Sequence, residues 1–554
     1  MKLKAGSSLP RRDKHAVSVY LPTWKDAQDW AQLNTEPLPQ LRAGYPRSYV
    51  TRVVHKLSER LLKWIASTIP EDETTSELRS LLAEPERSAM LFAERYLADM
   101  CKEYLQRHTD RPIFVVQIDL DGEISPPGAA PLGPPESTAG DLYAVVHSQE
   151  LVVEAKAFWK HTGHGISTRR AAYWLQQALF LNGGIEASYI LLNGSIGAKE
   201  TLQKNIGEFL STETNKLKAD AVFLYPTGMS AISHTAEAVR HLHGSSKETL
   251  KVAVFGFLYV DTFKVLSKIH GFDCKLYGHA ILSELEADLA AGMKLDALYT
   301  EFPGNPLLGS VDLDRLYKLA NDYNFIFIVD DTVATPVNVD LISSCDLVCT
   351  SLTTMFSGAC DVMGGSIALN PQSRLFARMQ EVLKEISLDT WFALDALAMA
   401  DNNRQFKERV EVASENAEHI ADTLRQHSSV DQVYYPKGSP TQDIYERFKR
   451  PGKGYGYLLS ILFKTPEAAI AFHDAFDMAK GPSLGTNFTI CSAYTLFAHS
   501  SELEWAAEFG VVEHLVRISV GFEMQEQLDE VVGKALAAAA KSMESVTDGE
   551  ALED

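Results

Sequence analysis

Long apolar runs are missing from this sequence of 554 residues. No stretch approaches the roughly 20 apolar residues that a membrane-spanning helix needs. The basic start of the chain also lacks the apolar core of a secretion signal. We therefore expect a cytoplasmic protein that has no membrane partner.

Cysteine and positive charge are also scarce. The six cysteines are scattered, and the close pair Cys345 and Cys349 has no second Cys or His pair at metal-ligand spacing. This pattern predicts buried free thiols rather than a disulfide framework or a metal site. The 52 basic and 73 acidic residues give a formal net charge of −21. Such an acidic chain is a poor match for nucleic acid or an anionic membrane, both of which select basic surfaces.

What the sequence does have is enough apolar residues, 45% of the total, to build more than one core. Residues 125–140 are rich in Pro, Gly, Ser and Thr and predict an exposed loop or linker. Before this segment, residues 49–108 have apolar positions at helical spacing, and a second helical stretch is expected around 167–181.

From about residue 200, short apolar runs alternate with amphipathic helices, which predicts a mostly parallel sheet covered on both faces. The predicted strands lie within residues 220–226, 250–256, 296–302, 325–331 and 346–351. Residues 371–426 contain only helical patterns. The tail at 429–545 mixes strands and helices and predicts a smaller α+β domain, followed by an acidic, frayed end at 546–554.

Unusual residues stand at the predicted strand ends, where parallel α/β sheets bind ligands. After the first strand, Thr227-Gly228-Met229 opens a helix whose N-terminus suits an anion; the alternative is a plain turn capped by Thr227. After the second, Phe255 has a flat face that suits a cofactor ring, although an aromatic residue at this place is more often part of the core.

The next strand ends carry polar groups. Asn305 lies in a Pro/Gly/Asn turn and offers a side-chain hydrogen bond to a ring oxygen, unless the turn is simply a loop. Asp330 ends a wholly apolar strand and needs a partner such as a protonated ring nitrogen. Ser351 and Thr353 alternate on one side of an extended segment, as hydroxyl groups that bind a phosphate would.

Together these motifs resemble the Cys/Met-metabolism family of enzymes that use pyridoxal 5′-phosphate (PLP). The resemblance extends to LVRISVGFE, in which Arg517 would bind the substrate α-carboxylate, and to Ser483 and Leu484 of the family's S-L-G element. It implies the α/β fold type I of PLP-dependent transferases. The expected parts are an N-terminal extension at 1–200, a PLP-binding domain at 201–400 and a C-terminal α+β domain at 401–545.

The N-terminal third resembles the extension of fungal cystathionine γ-synthases. There, Tyr45 and Arg47 match a Y-x-R motif that reaches the cofactor phosphate of the neighbouring subunit, which implies a homodimer or homotetramer. The implied reaction is γ-replacement on an O-acylhomoserine with a thiol, such as that of cysteine, or another nucleophile. It serves trans-sulfuration and methionine biosynthesis, or secondary metabolism in a relative that uses a different nucleophile.

One position breaks the resemblance. The family's Ser-x-Thr-Lys reads Ser351-Leu352-Thr353-Thr354 here, so the catalytic lysine that anchors PLP is replaced by Thr354. Three interpretations stay open. The chain uses another amine, with Lys480 the nearest candidate by motif. PLP binds non-covalently and supports a slow or altered reaction. Or the chain is a catalytically impaired paralogue, a lysine-substituted variant of an active enzyme, or a non-catalytic partner subunit, and it retains cofactor and substrate binding.

Overall fold

The structure is a computed structural model that describes residues 4–32, 49–127, 140–182, 197–244 and 249–550, with the backbone alone for 545–550. The predicted Pro/Gly-rich loop therefore falls largely outside the described residues. The chain forms three larger sheets in sequence order and one small N-terminal hairpin.

The first part of the chain builds a sheet that packs against helices. Its elements are β1 (Ser7–Leu9), β2 (Ser18–Tyr20), α1 (Trp24–Gln32), α2 (Arg52–Thr68), α3 (Ser76–Ala83), β3 (Arg87–Phe92), α4 (Arg95–Gln106), β4 (Phe114–Ile118), β5 (Ile124–Ser125), β6 (Leu142–Ser148), α5 (Val152–Thr162) and α6 (Thr168–Gln177). Strands β3, β6, β4 and β5 form an antiparallel sheet in that order. The helical prediction for 49–108 is wrong at β3, because pairing with β6 overrides the local helical spacing.

The central part is a seven-stranded sheet. Its elements are α7 (Ala198–Leu210), β7 (Val222–Tyr225), α8 (Gly228–His243), β8 (Lys251–Phe255), α9 (Val260–Lys264), β9 (Asp273–Tyr277), α10 (Leu282–Ala290), β10 (Ala297–Glu301), α11 (Leu313–Tyr323), β11 (Ile326–Asp330), α12 (Thr335–Asn338), β12 (Leu347–Ser351) and β13 (Gly365–Leu369). The strand order is β7-β13-β12-β11-β10-β8-β9. Strand β13 runs antiparallel to both of its neighbours, and the strands from β12 to β9 are mutually parallel.

This sheet confirms the predicted fold class, and each of the five predicted strands is present. Strand β11 reads IFIVD, and its first four residues are buried. Continuous apolar strands of this kind fit a sheet that is covered on both faces. Strands β9 and β13 were not predicted from the sequence, because DCKLY is polar at alternate positions and GSIAL begins with glycine.

The last part joins helices to a five-stranded sheet. Its elements are α13 (Phe376–Ile386), α14 (Ala393–Asn402), α15 (Phe406–Arg425), β14 (Val430–Tyr434), α16 (Gln442–Phe448), β15 (Leu458–Phe463), α17 (Pro466–Ala475), β16 (Ala479–Lys480), β17 (Ile490–Ala493), α18 (Tyr494–Ala498), α19 (Leu503–Glu508), β18 (Val516–Ser519) and α20 (Gln525–Glu550). Helix α20 continues into the segment where a frayed end was expected.

Buried side chains connect these parts. One apolar cluster joins a face of the central sheet to the C-terminal sheet and its helices. A second joins the opposite face to α4, α5 and the N-terminal sheet. A third lies within the N-terminal part, around α2 and α6. The central sheet is therefore held on both faces, and its strand ends are fixed relative to the N-terminal and C-terminal parts.

Leu61 tests the N-terminal core. It is fully buried in the cluster around α2, so Leu61→Ala removes apolar contacts and leaves a cavity. We expect a loss of about 2–5 kcal/mol in the free energy of unfolding of this part. The measurement is chemical denaturation followed by circular dichroism. Lys63→Ala, on the exposed side of the same helix, is the control, and an equal effect of both substitutions would contradict the assignment.

Candidate active site

A cavity opens at the carboxyl ends of the central strands. Strands β8, β10, β11 and β12 are mutually parallel, so the segments that follow them meet at one edge of the sheet. Most of the predicted site residues line this cavity: Gly228, Met229, Asn305, Asp330, Ser351, Thr353, Thr354, Leu484 and Arg517. The tertiary structure thus assembles motifs that are far apart in sequence.

The first turn of α8 forms one wall. Thr227 is the N-cap of the helix, since its Oγ1 accepts a hydrogen bond of 2.9 Å from Ser230 N, and it does not line the cavity. Gly228 lies so close to Ser351 that a β-carbon on residue 228 would be 2.7 Å from Ser351 Cβ. The first N–H groups of the helix and the Ser351 side chain therefore border the same region, which suits an anion.

Two carboxyl groups lie side by side on β10 and β11. The parallel register pairs Glu301 with Asp330, and both line the cavity. Burial raises the pKa of Asp330, while its Oδ1 accepts a 2.9 Å hydrogen bond from Thr332 N. Burial and the charge of Asp330 raise the pKa of Glu301 well above its usual range. This pair favours a cationic partner, because a nearby positive charge would stabilise the ionised carboxylates.

Arg517 on β18 is buried and held from several sides. Its guanidinium donates to Asn305 Oδ1 at 3.1 Å and to the carbonyl oxygens of Pro482 and Ser483 at 3.1 and 3.2 Å. The guanidinium carbon lies 4.7 Å from the centre of the Tyr494 ring. These contacts fix the orientation of the planar guanidinium group, which can bind a carboxylate through two hydrogen bonds.

The prediction for Phe255 needs correction. Phe255 is buried in the core, 6.0 Å from the Tyr277 ring between centroids, and it does not line the cavity. Tyr259, four residues later, lines the cavity instead. Its backbone N–H donates to Glu301 Oε2 at 3.2 Å. The available signal was an aromatic residue in the loop after the strand, but the loop's path could not be read from the sequence.

Ser483 contributes its backbone rather than its side chain. Its carbonyl oxygen accepts from Arg517, whereas its hydroxyl donates to Ser18 of the N-terminal hairpin and does not line the cavity. Tyr45 and Arg47 lie outside the described residues. Within the described residues, no group of three or more His, Cys, Asp or Glu side chains is placed to hold a metal ion.

Thr354 stands where the resemblance predicts a lysine. It is 2% exposed, and its hydroxyl donates to Ser351 O at 2.9 Å. Lys480 does not replace it in the structure, because Lys480 Nζ donates to the carbonyl oxygens of Pro22 and Asp474 at 2.9 Å each and lies away from the cavity. The interpretation that gives Lys480 the missing role is therefore not supported by its position.

A cluster that the sequence reasoning missed joins the N-terminal part to the cavity. Asp261 is fully buried, and its carboxylate is 2.9 Å from His161 Nδ1 and 4.0 Å from Lys160 Nζ. Tyr259 donates its hydroxyl proton to the same carboxylate at 3.0 Å. Lys160, Tyr259 and Asp261 all line the cavity. No motif signalled this cluster, since Lys160 and Asp261 are 101 positions apart and meet only through α5.

Two models of known protein families match most of the residues that the structure describes. A family model described as Cys/Met metabolism PLP-dependent enzyme matches residues 200–537. A model described as fungal trans-sulfuration enzyme, N-terminal domain, matches residues 53–167. The second match covers the sheet and helices that supply Lys160.

Individual relatives align along nearly their full length. Cystathionine gamma-synthase of Neurospora crassa is 32% identical, with 96% of this chain and 98% of the relative covered. Cystathionine gamma-synthase-like protein ankD of Aspergillus thermomutatus is 34% identical, with 96% and 94% covered. Alanine racemase ungC of Aspergillus violaceofuscus is 29% identical, with 97% of each covered.

Solved structures share the fold. Cystathionine gamma synthase from Xanthomonas oryzae pv. oryzae, in complex with cystathionine, is 24% identical with a TM-score of 0.55 and covers 65% of this chain and 90% of its own. Cystathionine gamma-lyase from yeast is 24% identical with a TM-score of 0.53 and covers 62% and 86%. None of the described helices is long and apolar enough to cross a membrane.

The buried carboxyl of Asp331, beside the cavity, predicts a pH effect on stability. Burial, with a smaller contribution from Asp330, raises the pKa of Asp331 from 3.8 to about 7. Between these values the folded chain keeps a proton that the unfolded chain has released, so stability falls as the pH rises. The free energy of unfolding of the wild type should fall by up to about 1.4 kcal/mol per pH unit for this reason, and Asp331→Asn should remove this fall.

Melting temperatures of both proteins at a series of pH values between about 4 and 7 check this effect. The difference in melting temperature between Asp331→Asn and the wild type should shift in favour of the variant as the pH rises. Asp322→Asn, at an exposed position on α11, is the control and should keep the wild-type slope. Parallel curves for the wild type and Asp331→Asn would contradict the raised pKa.

Proposed function

The chain belongs to the Cys/Met metabolism family of PLP-dependent enzymes, and on this premise we propose that its cavity binds PLP and serves a cystathionine γ-synthase-like reaction. The substrate would be an O-acylhomoserine-type amino acid, whose γ-substituent is replaced by a thiol such as that of cysteine or by another nucleophile. The observation that carries the proposal is that a helix N-terminus, a buried carboxyl group and a hydrogen-bonded guanidinium border one cavity.

The residues present fit PLP apart from Thr354. The N–H groups at the start of α8, with Ser351 and Thr353, would hold the phosphate, and the lack of a β-carbon at Gly228 lets Ser351 pack directly against the start of this helix. Asp330 would partner the ring nitrogen. Burial disfavours the ionised form of this carboxyl group, and the positive charge of a protonated ring nitrogen would stabilise that form. When bound, PLP supplies an electron sink for negative charge at the substrate's Cα and Cβ.

Tyr259 is our candidate for the aromatic face against the cofactor ring, in place of Phe255. It lines the cavity, and its position is fixed at two points. Its hydroxyl donates to Asp261 and its backbone N–H donates to Glu301. A ring held in this way keeps its orientation when ligands enter and leave.

Arg517 would bind the α-carboxylate of the amino-acid substrate. Asn305 accepts a hydrogen bond from one terminal nitrogen of this guanidinium, and Tyr494 lies against its face. Both residues also line the cavity, so they would orient the substrate through Arg517. Asn305 therefore acts on the arginine in this structure, rather than only on a ring oxygen as the sequence suggested.

The family resemblance also supports a homodimer or homotetramer in which Tyr45 and Arg47 reach the phosphate of a neighbouring subunit. Cytoplasmic location stays a prediction from the sequence.

A second candidate function is favoured by Thr354. A buried threonine whose hydroxyl is bonded to Ser351 O lacks an amine that could move protons. On this view the chain is a catalytically impaired paralogue, or a non-catalytic partner of an active subunit, that keeps cofactor and substrate binding. Cystathionine formation by the pure chain would exclude it.

PLP binding is tested by the absorption spectrum of the purified chain during titration with PLP. We expect a saturable spectral change, which Asp330→Ala weakens by about tenfold or more because a hydrogen bond between charged groups is lost. Asp322→Ala, at an exposed position, serves as the matched control. Absence of any saturable change in the wild type would contradict the proposal.

Thr354→Lys tests whether the rest of the site is intact. A lysine at this position restores an amine for proton transfer, so the formation of cystathionine from an O-acylhomoserine and cysteine should rise by about 10²–10⁴-fold. Thr354→Met, which adds a chain of similar length without an amine, is the control. If Thr354→Lys is no faster than Thr354→Met, the other residues do not form a competent site.

A further inference from the structure

We propose that Lys160 supplies the amine that position 354 lacks, and that its Nζ forms the covalent bond between this chain and PLP. This inference rests on the proposed binding of PLP in the cavity. It assigns a cofactor-bonding residue to the N-terminal part of the chain, outside the region that carries the motifs for PLP.

The cavity wall is the first support. Lys160 lines the same cavity as Gly228, Asp330, Ser351 and Thr354. Among the cavity-lining residues that the structure describes, it is the one lysine. Its side chain is 32% exposed, so a ligand in the cavity has access to it. The flexible four-carbon stem of a lysine allows the amine to reach a carbonyl group in the cavity from α5.

Asp261 is the second support. Its fully buried carboxylate lies 4.0 Å from Lys160 Nζ, an ion-pair distance that is longer than a hydrogen bond. The carboxylate is itself held by His161 at 2.9 Å and by the Tyr259 hydroxyl at 3.0 Å. Lys160 is thus tied to the same carboxylate as Tyr259, the aromatic residue we assign to the cofactor ring. The amine of Lys160 and the hydroxyl of Tyr259 therefore approach the same carboxylate.

The chemistry balances within this arrangement. The Lys160 ammonium and the aldehyde of PLP condense to a protonated C=N bond, and one water molecule leaves with the aldehyde oxygen. One positive charge is present on the lysine nitrogen before and after the step, so Asp261 can stabilise both states. No oxidant or reductant takes part. An arginine at 160 would keep the charge, but its guanidinium is not deprotonated in proteins and forms no such bond.

Reduction with borohydride tests the assignment. The purified full-length chain is equilibrated with PLP, the bound PLP is measured, and borohydride then reduces any C=N bond to a stable amine. After denaturation and proteolysis, mass spectrometry locates the pyridoxyl group. We expect it on the peptide that contains Lys160. Attachment at another lysine, such as Lys480, or release of all PLP on denaturation would overturn the inference.

Two variants sharpen the result. Lys160→Arg should lose the covalent product while it still retains PLP before reduction. Lys156→Arg is the matched control, since Lys156 lies one turn earlier on α5 and does not line the cavity; it should keep the product. Undiminished labelling in Lys160→Arg overturns the assignment. Failure of the wild type to bind PLP overturns the proposed function as well, whereas bound PLP without fixation at Lys160 overturns this inference alone.

Discussion

The parallel pairing of Glu301 with Asp330 is the contact on which the rest of the site depends. Two carboxyl groups are placed at adjacent strand ends, and burial raises the pKa of both. Glu301 accepts hydrogen bonds from the backbone N–H groups of Tyr259 and Asn305, and Asn305 accepts one from Arg517. The register of two strands therefore sets the positions of the aromatic residue and of the arginine on a different sheet.

The N-terminal part is more than an attachment to this site. Helix α5 packs against the central part and brings His161 and Lys160 to the buried carboxylate of Asp261. Isolated buried carboxylates are unfavourable, so Asp261 needs these partners. Because Asp261 also accepts a hydrogen bond from the Tyr259 hydroxyl, the N-terminal part helps to position a residue that lines the cavity.

Under the proposed function, Thr354 would separate two roles, namely the holding of the cofactor and the movement of protons. The carboxylate of Asp330 and the guanidinium of Arg517 do not depend on the residue at 354 for their own contacts. Under the proposed function, binding and turnover would therefore be controlled by different residues. A chain of this kind can keep the first role whether or not another amine provides the second.

The sequence by itself determined the fold class and nine of the residues that line the cavity. Apolar strands followed by polar residues predicted where Gly228, Asp330 and Ser351 would gather, because the ends of parallel strands meet at one edge of a sheet. The tertiary structure alone decided the rest. Phe255 turned into the core and Tyr259 into the cavity, since the path of the loop after a strand depends on what it packs against. The tertiary structure also brought Lys160 to Asp261. Local sequence patterns carry no information about contacts between segments that lie so far apart in the chain.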